Sequence, residues 1–391
     1  VLRWCHKREQ ESCAAAWADP STDAPKQRES RGLSNWSTVA RTLHGWSLIP
    51  TTHRRCAMPT LNVPVIDLQP WFSGTPEGKA QVAQAVENAC RDIGFLVITN
   101  HQIPPALIQR VSDASREFFA LPLADKRKVD RPRPDAVRGY SAVGEEGLSY
   151  SLEEAAPGDL KESFSIGPTD APDDDYHRGP AAGAHFEPNA WPALPGFREA
   201  YTEYFAAMSD LARSLMCIFA TALRLPETFF DDKIDKHISM FRVLSYPPQT
   251  EPPLPGQMRA GAHSDYGSLT IVLPDGPGLQ VFNKAGQWVD VPQVEGSFVV
   301  NIADLMMQWT NDTWVSTLHR VANPPFDDAK RNTRRQSLVF FHQPNYDAMV
   351  ECLPSCLAPG ESPKYAPISS GDHLTSKFVK QTTFGGTKAA A

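Results

Sequence analysis

The sequence predicts an α+β fold: a double-stranded β-helix (jelly roll) core with N-terminal and spine helices. Three observations point there. Helical periodicity is confined to the segments before Met240. Beyond Met240, short apolar runs are separated by turn residues, the pattern of a sandwich or barrel. Strands and helices do not alternate as repeated βαβ units, which argues against a doubly wound parallel sheet.

Taken in order, Val63 to Leu68 reads as a short strand, and Val82, Val86, Ala89, Cys90 and Ile93 recur at helical spacing over roughly 78–92. Gly94 through His101 is β-branched and bounded by turn residues, as a buried strand should be. A second helix is expected from Pro105 to Phe119. Residues 130–195 are rich in Pro, Gly and Asp and are read as mostly loop, of a length usual for functional lids or disordered segments. Phe197, Tyr201, Phe205, Met208, Leu211, Leu215, Ile218, Phe219 and Leu223 mark one face of a long helix ending before Pro226, the spine. Strands are then expected at Phe241–Tyr246, Ser268–Leu273, Leu279–Phe282, Trp288–Val291, Phe298–Ile302, Ser316–Val321 and Gln336–Phe341.

Residues 1–57 differ from the rest. They hold four of the nine Trp and three of the seven Cys without sustained periodicity, and carry about +4 against about −11 for the remainder. Five acidic residues fit an organelle transit peptide poorly. They are read as a leader, disordered or not native, with Met58 as the natural start. The remaining regions are 62–175, 236–345 and a C-terminal segment, 346–391.

With a net charge of −7, the chain has no basic excess to neutralise a phosphate backbone, so nucleic acid is not an expected partner. No uninterrupted apolar run approaches the roughly 18–20 residues of a membrane span, and no protein partner is implied. Seven cysteines without a C-x-x-C pair fit a reducing cytosol, so a cytoplasmic location is expected. Cys352 and Cys356, two soft ligands alone, are read as structural.

The sharpest feature is His263-Ser264-Asp265. In a strand, residues i and i+2 face the same side, so this pair is expected to offer one imidazole and one carboxylate to a single point. His319 supplies a second imidazole from a later strand. Two His and one carboxylate on one face of a metal leave the opposite face open, the ligand set of non-haem Fe(II) oxygenases. An H-x-D triplet alone arises by chance in roughly half of such chains; the order of the motifs carries the weight. Downstream, Arg335 and Ser337 stand two apart on a strand, a guanidinium fork and a hydroxyl suited to gripping a carboxylate. Arg331 and Arg334 are read as a solvated basic edge.

These residues resemble the 2-oxoglutarate and Fe(II)-dependent oxygenases of the isopenicillin N synthase-like branch over about residues 62–355. The pattern H-x-D, His, R-x-S falls on His263, Asp265, His319, Arg335 and Ser337. Further matches are Phe241 to Pro247, Gly278-Leu279-Gln280-Val281, Trp309-Thr310-Asn311, His319-Arg320-Val321 and the stretches around Val63 and Gly94. The resemblance implies Fe(II) on His263, Asp265 and His319. It places the distal carboxylate of 2-oxoglutarate on Arg335, Ser337 and Tyr246, with O2 as second cosubstrate and ascorbate as a stimulant. The implied reaction oxidises a small organic molecule, hydroxylation first among the outcomes, with release of succinate and CO2. Arg138, Tyr140 and Phe164 are candidate substrate contacts in a pocket covered by the loop-rich region and the C-terminal segment. Departures from the family pattern are Ala303 before Asp304, Gln102 after Asn100-His101, and Leu244, where an Asn is common.

Two other readings use the same residues. An isopenicillin N synthase-like oxidase would use O2 without 2-oxoglutarate and turn the R-x-S triplet to a substrate carboxylate. A catalytically silent jelly-roll protein would keep the metal for structure or sensing.

Overall fold

The computed structural model describes residues 62–133, 136–152, 156–325 and 333–386. The leader, the expected start at Met58, and Arg331 all lie outside the described residues. Among the described residues, twelve strands build the two larger sheets: β1 Val65–Asp67, β2 Phe95–Thr99, β3 Gly139–Ser141, β4 Glu162–Ile166, β5 Met240–Tyr246, β6 Ala260–His263, β7 Leu269–Pro274, β8 Leu279–Phe282, β9 Trp288–Asp290, β10 Phe298–Ile302, β11 His319–Val321 and β12 Arg335–His342. The major sheet has the order β1-β2-β10-β7-β12-β5-β4-β3 and the minor sheet β6-β11-β8-β9. Their non-sequential order is the double-sheet arrangement expected of the jelly roll.

One βαβ unit departs from expectation. β1 and β2 pair in parallel, and the helix Pro76–Asp92 makes the crossover. Thr75 caps that helix through Gly78 N–H at 3.1 Å, with Pro76 in the first turn, where a missing N–H costs nothing. Gly94 then turns the chain at φ +68°; a Cβ there would sit 2.0 Å from the Val315 carbonyl oxygen. Phe95 to Ile98 are buried on both faces: Leu96 and Ile98 pack into the core shared with the helices, and Phe95 and Val97 into a second core with Val281 and Val321 of the minor sheet.

The helix Phe197–Ala222 is the spine, its apolar face packed against the major sheet together with the helices Pro76–Asp92 and Pro105–Ala120. By length and mean hydropathy it could cross a bilayer, contrary to the reading of uninterrupted runs, yet half of its most apolar stretch is buried inside the protein. Its Phe197 and Tyr201 join Phe118 and Phe164 in a cluster of edge-on and stacked rings.

Residues 130–195 are less loop-like than their composition suggests: β3 and β4 extend the major sheet through β5. The C-terminal segment ends in a helix, Ser370–Gly386. Asn100 and Gln102 have positive φ, +52° and +66°. Gln102 thus adopts the backbone that favours Gly, the residue usual there in the family pattern.

Candidate active site

Pairing of β6 with β11 sets His319 directly across from His263, ring centroids 4.3 Å apart. Asp265 does not share a strand with His263 as expected; β6 ends at His263, and the carboxylate comes from the loop beyond it. That loop is fixed by Asp304 N–H donating to the Asp265 carbonyl at 2.9 Å, and by the Asn301 amide donating to Asp265 Oδ2 at 2.7 Å. The three donor atoms lie within 4.8 Å of one another, the one such His/Cys/Asp/Glu group among the described residues.

The hydrogen bonds around the ligand imidazoles define their working nitrogens. His263 Nδ1 lies 2.8 Å from the Gly261 carbonyl and His319 Nδ1 lies 3.1 Å from that of Thr317. A carbonyl only accepts, so each Nδ1 carries the proton and each Nε2 keeps its lone pair. Those Nε2 atoms stand 3.7 Å from Asp265 Oδ1 and Oδ2, too far for hydrogen bonds. Burial, reinforced by neighbouring His319, pushes His263 down to about 4 and holds it neutral. Burial would raise Asp265, but the Asn301 bond and the pull that His319 and His263 exert when protonated outweigh it, so the carboxyl lies below its ordinary value. Two imidazole nitrogens and one anionic oxygen fit a divalent iron.

Tyr246, Arg335 and Ser337 converge because of strand register. Arg335 pairs with Tyr246 and Ser337 with Leu244, so all four share one face. Arg335 is buried; its Nε donates to the Gly276 carbonyl at 3.2 Å and its Nη1 to Ser337 Oγ at 2.6 Å. Its guanidinium lies 5.0 Å from the Tyr246 ring centre. Among the described residues no carboxylate pairs with it. These side chains, the triad and Arg138 line one cavity of about 1180 Å³, counting the part open to solvent. Leu374 and Phe378 of the C-terminal helix also line it, so the expected cover from that segment is present.

Tyr140 and Phe164 do not line the cavity. Phe164 pairs with Val243 and Tyr140 with Phe164, which turns all three away from the cavity towards the spine. Phe164 is fully buried among rings, and Tyr140 OH donates to Glu162 at 2.7 Å beside the buried Lys126–Glu162 pair. The cavity face of β5 carries Arg242, Leu244 and Tyr246 instead. Arg242 is held by Glu146 and Ser165.

Three supporting residues escaped sequence reading. Asn301 is a polar residue inside the apolar run Phe298–Ile302, a visible signal. Asp159 and Lys161 sit in loop-like sequence that gave none. Asp159 accepts from Gly261 N–H at 3.0 Å and from Lys161 Nζ at 2.6 Å, anchoring the residue whose carbonyl holds His263. Cys352 and Cys356 are free thiols and join no metal-binding group among the described residues.

Comparison with known proteins matches this geometry. The model of the 2OG-Fe(II) oxygenase superfamily fits residues 237–344, and that of the non-haem dioxygenase in morphine synthesis N-terminal region fits residues 63–194. The 2-oxoglutarate-Fe(II) type oxidoreductase hxnY of Emericella nidulans is 38% identical over 81% of this chain and 89% of its own length. The chain belongs to the 2OG-Fe(II) oxygenase superfamily. It is an oxidoreductase that uses Fe(II) and 2-oxoglutarate. Among solved structures, a full-length Neurospora crassa protein in complex with alpha-KG and thymine is similar, with TM-score 0.70 and 33% identity over 81% of this chain and 96% of that one. Validamycin A dioxygenase of Streptomyces hygroscopicus subsp. limoneus is 31% identical over 83% of this chain and 88% of its own. Such relatives of this oxygenase act on small molecules.

Proposed function

We propose that this oxygenase hydroxylates a small organic molecule at a centre where His263, Asp265 and His319 hold Fe(II) and Arg335, Ser337 and Tyr246 hold the distal carboxylate of 2-oxoglutarate. The observation that carries the assignment is one cavity joining three convergent donor atoms to a buried guanidinium without a carboxylate partner among the described residues. When bound, iron and 2-oxoglutarate would let O2 act as the oxidant: 2-oxoglutarate is oxidised to succinate and CO2, taking up one oxygen atom, and the other is left for a substrate C–H bond. The protein's share is positioning. The Gly261 and Thr317 carbonyls hold each imidazole in the tautomer that offers Nε2. Asn301 orients Asp265, and Ser337 aims the Arg335 fork. Apolar residues such as Leu244, Val272 and Leu279 line the same cavity and limit water.

The test is anaerobic addition of 2-oxoglutarate to the Fe(II)-loaded full chain, followed by oxygen and a small-molecule screen for succinate release. A visible charge-transfer band, lost in Asp265→Ala and weakened in Arg335→Gln, is expected. Iron binding without that band, or oxygen consumption without succinate, overturns the assignment and favours the oxidase or silent-protein reading.

A further inference from the structure

Arg138 is a second buried guanidinium in the active-site cavity, and nothing in the chemistry above uses it. It is 5% exposed, and one of its Nη2 hydrogens is taken by the His185 carbonyl. Among the described residues no carboxylate forms an ion pair with it. Glu187, the acid that acts on it through space, bonds Arg133 at 2.6 Å instead. Burial, with Arg178 adding repulsion, lowers Arg138 to about 10 against the opposing pull of Glu187, so it remains charged near neutral pH. A buried charge left this way is costly unless a ligand completes it.

The surroundings are shaped around that charge. Gly167 passes beneath it, and a Cβ at that position would lie 2.3 to 2.4 Å from three guanidinium atoms, Nη2, Cζ and Nε. Ile238, Leu374 and Phe378 supply apolar wall, while Gln343 adds a buried side-chain oxygen that has no hydrogen-bond partner. Arg335 is already matched to 2-oxoglutarate in the proposed function, on which this step rests. A second anion-binding fork in the same cavity therefore serves the other organic ligand.

We infer that the substrate of this enzyme carries a carboxylate, bound by Arg138, on an apolar body that packs against the C-terminal helix. Arg138 presents up to four N–H donors beyond the one bound to His185, enough for a bidentate grip. Held at that end, the substrate is tethered while its apolar part faces the metal centre.

The test uses full-length enzyme loaded with Fe(II) and 2-oxoglutarate and matched probes: benzoate, phenylacetate and hexanoate against their primary amides. Binding is read from the perturbed visible band and from stimulated succinate release. At least one acid should bind about tenfold or more tightly than its amide, the scale of a charge-assisted contact. Arg138→Gln should abolish that preference and Arg138→Lys retain part of it, with 2-oxoglutarate affinity in both variants within about twofold of the parent. Acids binding no better than amides, a preference surviving in Arg138→Gln, or acids that displace 2-oxoglutarate would each overturn the inference. Absence of the band before any probe is added would instead overturn the 2-oxoglutarate reading itself.

Discussion

Arg335→Gln isolates the cosubstrate grip from the metal. A guanidinium has five N–H donors. Two of Arg335's are taken, by Gly276 and Ser337, which leaves three for a ligand. A carboxylate gripped through two of them gains about 1.5–3 kcal/mol from each charge-assisted bond. At about 1.4 kcal/mol per tenfold, losing both weakens 2-oxoglutarate by roughly 10²- to 10⁴-fold. Ser337→Ala removes only a hydroxyl worth about 1 kcal/mol, a change of about fivefold. Because that hydroxyl bonds Arg335 directly, the double variant should fall short of the product of the two effects. Arg335→Lys restores charge without the fork and should recover part of the affinity. Anaerobic titration of the Fe(II) enzyme, read by the visible band, gives each Kd, with Fe(II) affinity measured alongside. An Arg335→Gln Kd within threefold of the parent, with iron binding intact, would refute the assignment of this fork to 2-oxoglutarate.

Three further outcomes follow from the same geometry. Asn301→Ala deletes the 2.7 Å bond to Asp265 and should lower Fe(II) affinity roughly ten- to a hundredfold, measured by metal titration of the folded apoprotein. Phe164→Ala should cost about 3–5 kcal/mol in urea unfolding while leaving KM unchanged, because the ring packs against Phe118, Phe197 and Tyr201 and lines no part of the cavity. His342 is buried beside His237, with its Nδ1 2.6 Å from Ser268 Oγ, and burial holds its pKa well below the usual value. The unfolded chain therefore binds a proton there below about pH 6.5 that the folded chain does not. Stability should fall with pH below that point, and His342→Asn should flatten the slope by about 1.4 kcal/mol per pH unit in urea melts.

What the sequence reveals depends on whether a residue's role is set locally. The alternation Arg242, Leu244, Tyr246 and Arg335, Ser337, Val339 is a period-two pattern, so both faces of β5 and β12 can be read from the chain itself. The order of His263, Asp265 and His319 is likewise legible, although the end of β6 at His263 is not. Phe164 and Tyr140 misled because their face follows from pairing with β5 some eighty residues away, a non-local register that no short window contains. The βαβ unit at the N-terminus was hidden for a related reason: a helix flanked by two short strands does not state which edge the second strand joins. Asp159 and Lys161 became functional candidates only when folding brought their loop behind Gly261.

That last arrangement explains how a chain can hold two imidazoles and a carboxylate together before any metal arrives. Nε2–H on either imidazole, directed towards Asp265, would favour a closed hydrogen-bonded triad with no open donor set. The Gly261 and Thr317 carbonyls prevent this by taking the Nδ1 protons, and both belong to backbone two residues before the histidine they hold. Geometry within β6 and the approach to β11 therefore sets both tautomers. Asp159 anchors Gly261 through its N–H, while Asn301 donates to one Asp265 oxygen and turns the carboxylate into register. Together the restraints reach all three ligands, two of them acting on His263. The centre is thus preorganised by the crossing of β6, β10, β11 and the loop around Asp159, so metal binding need not supply the free energy to assemble it.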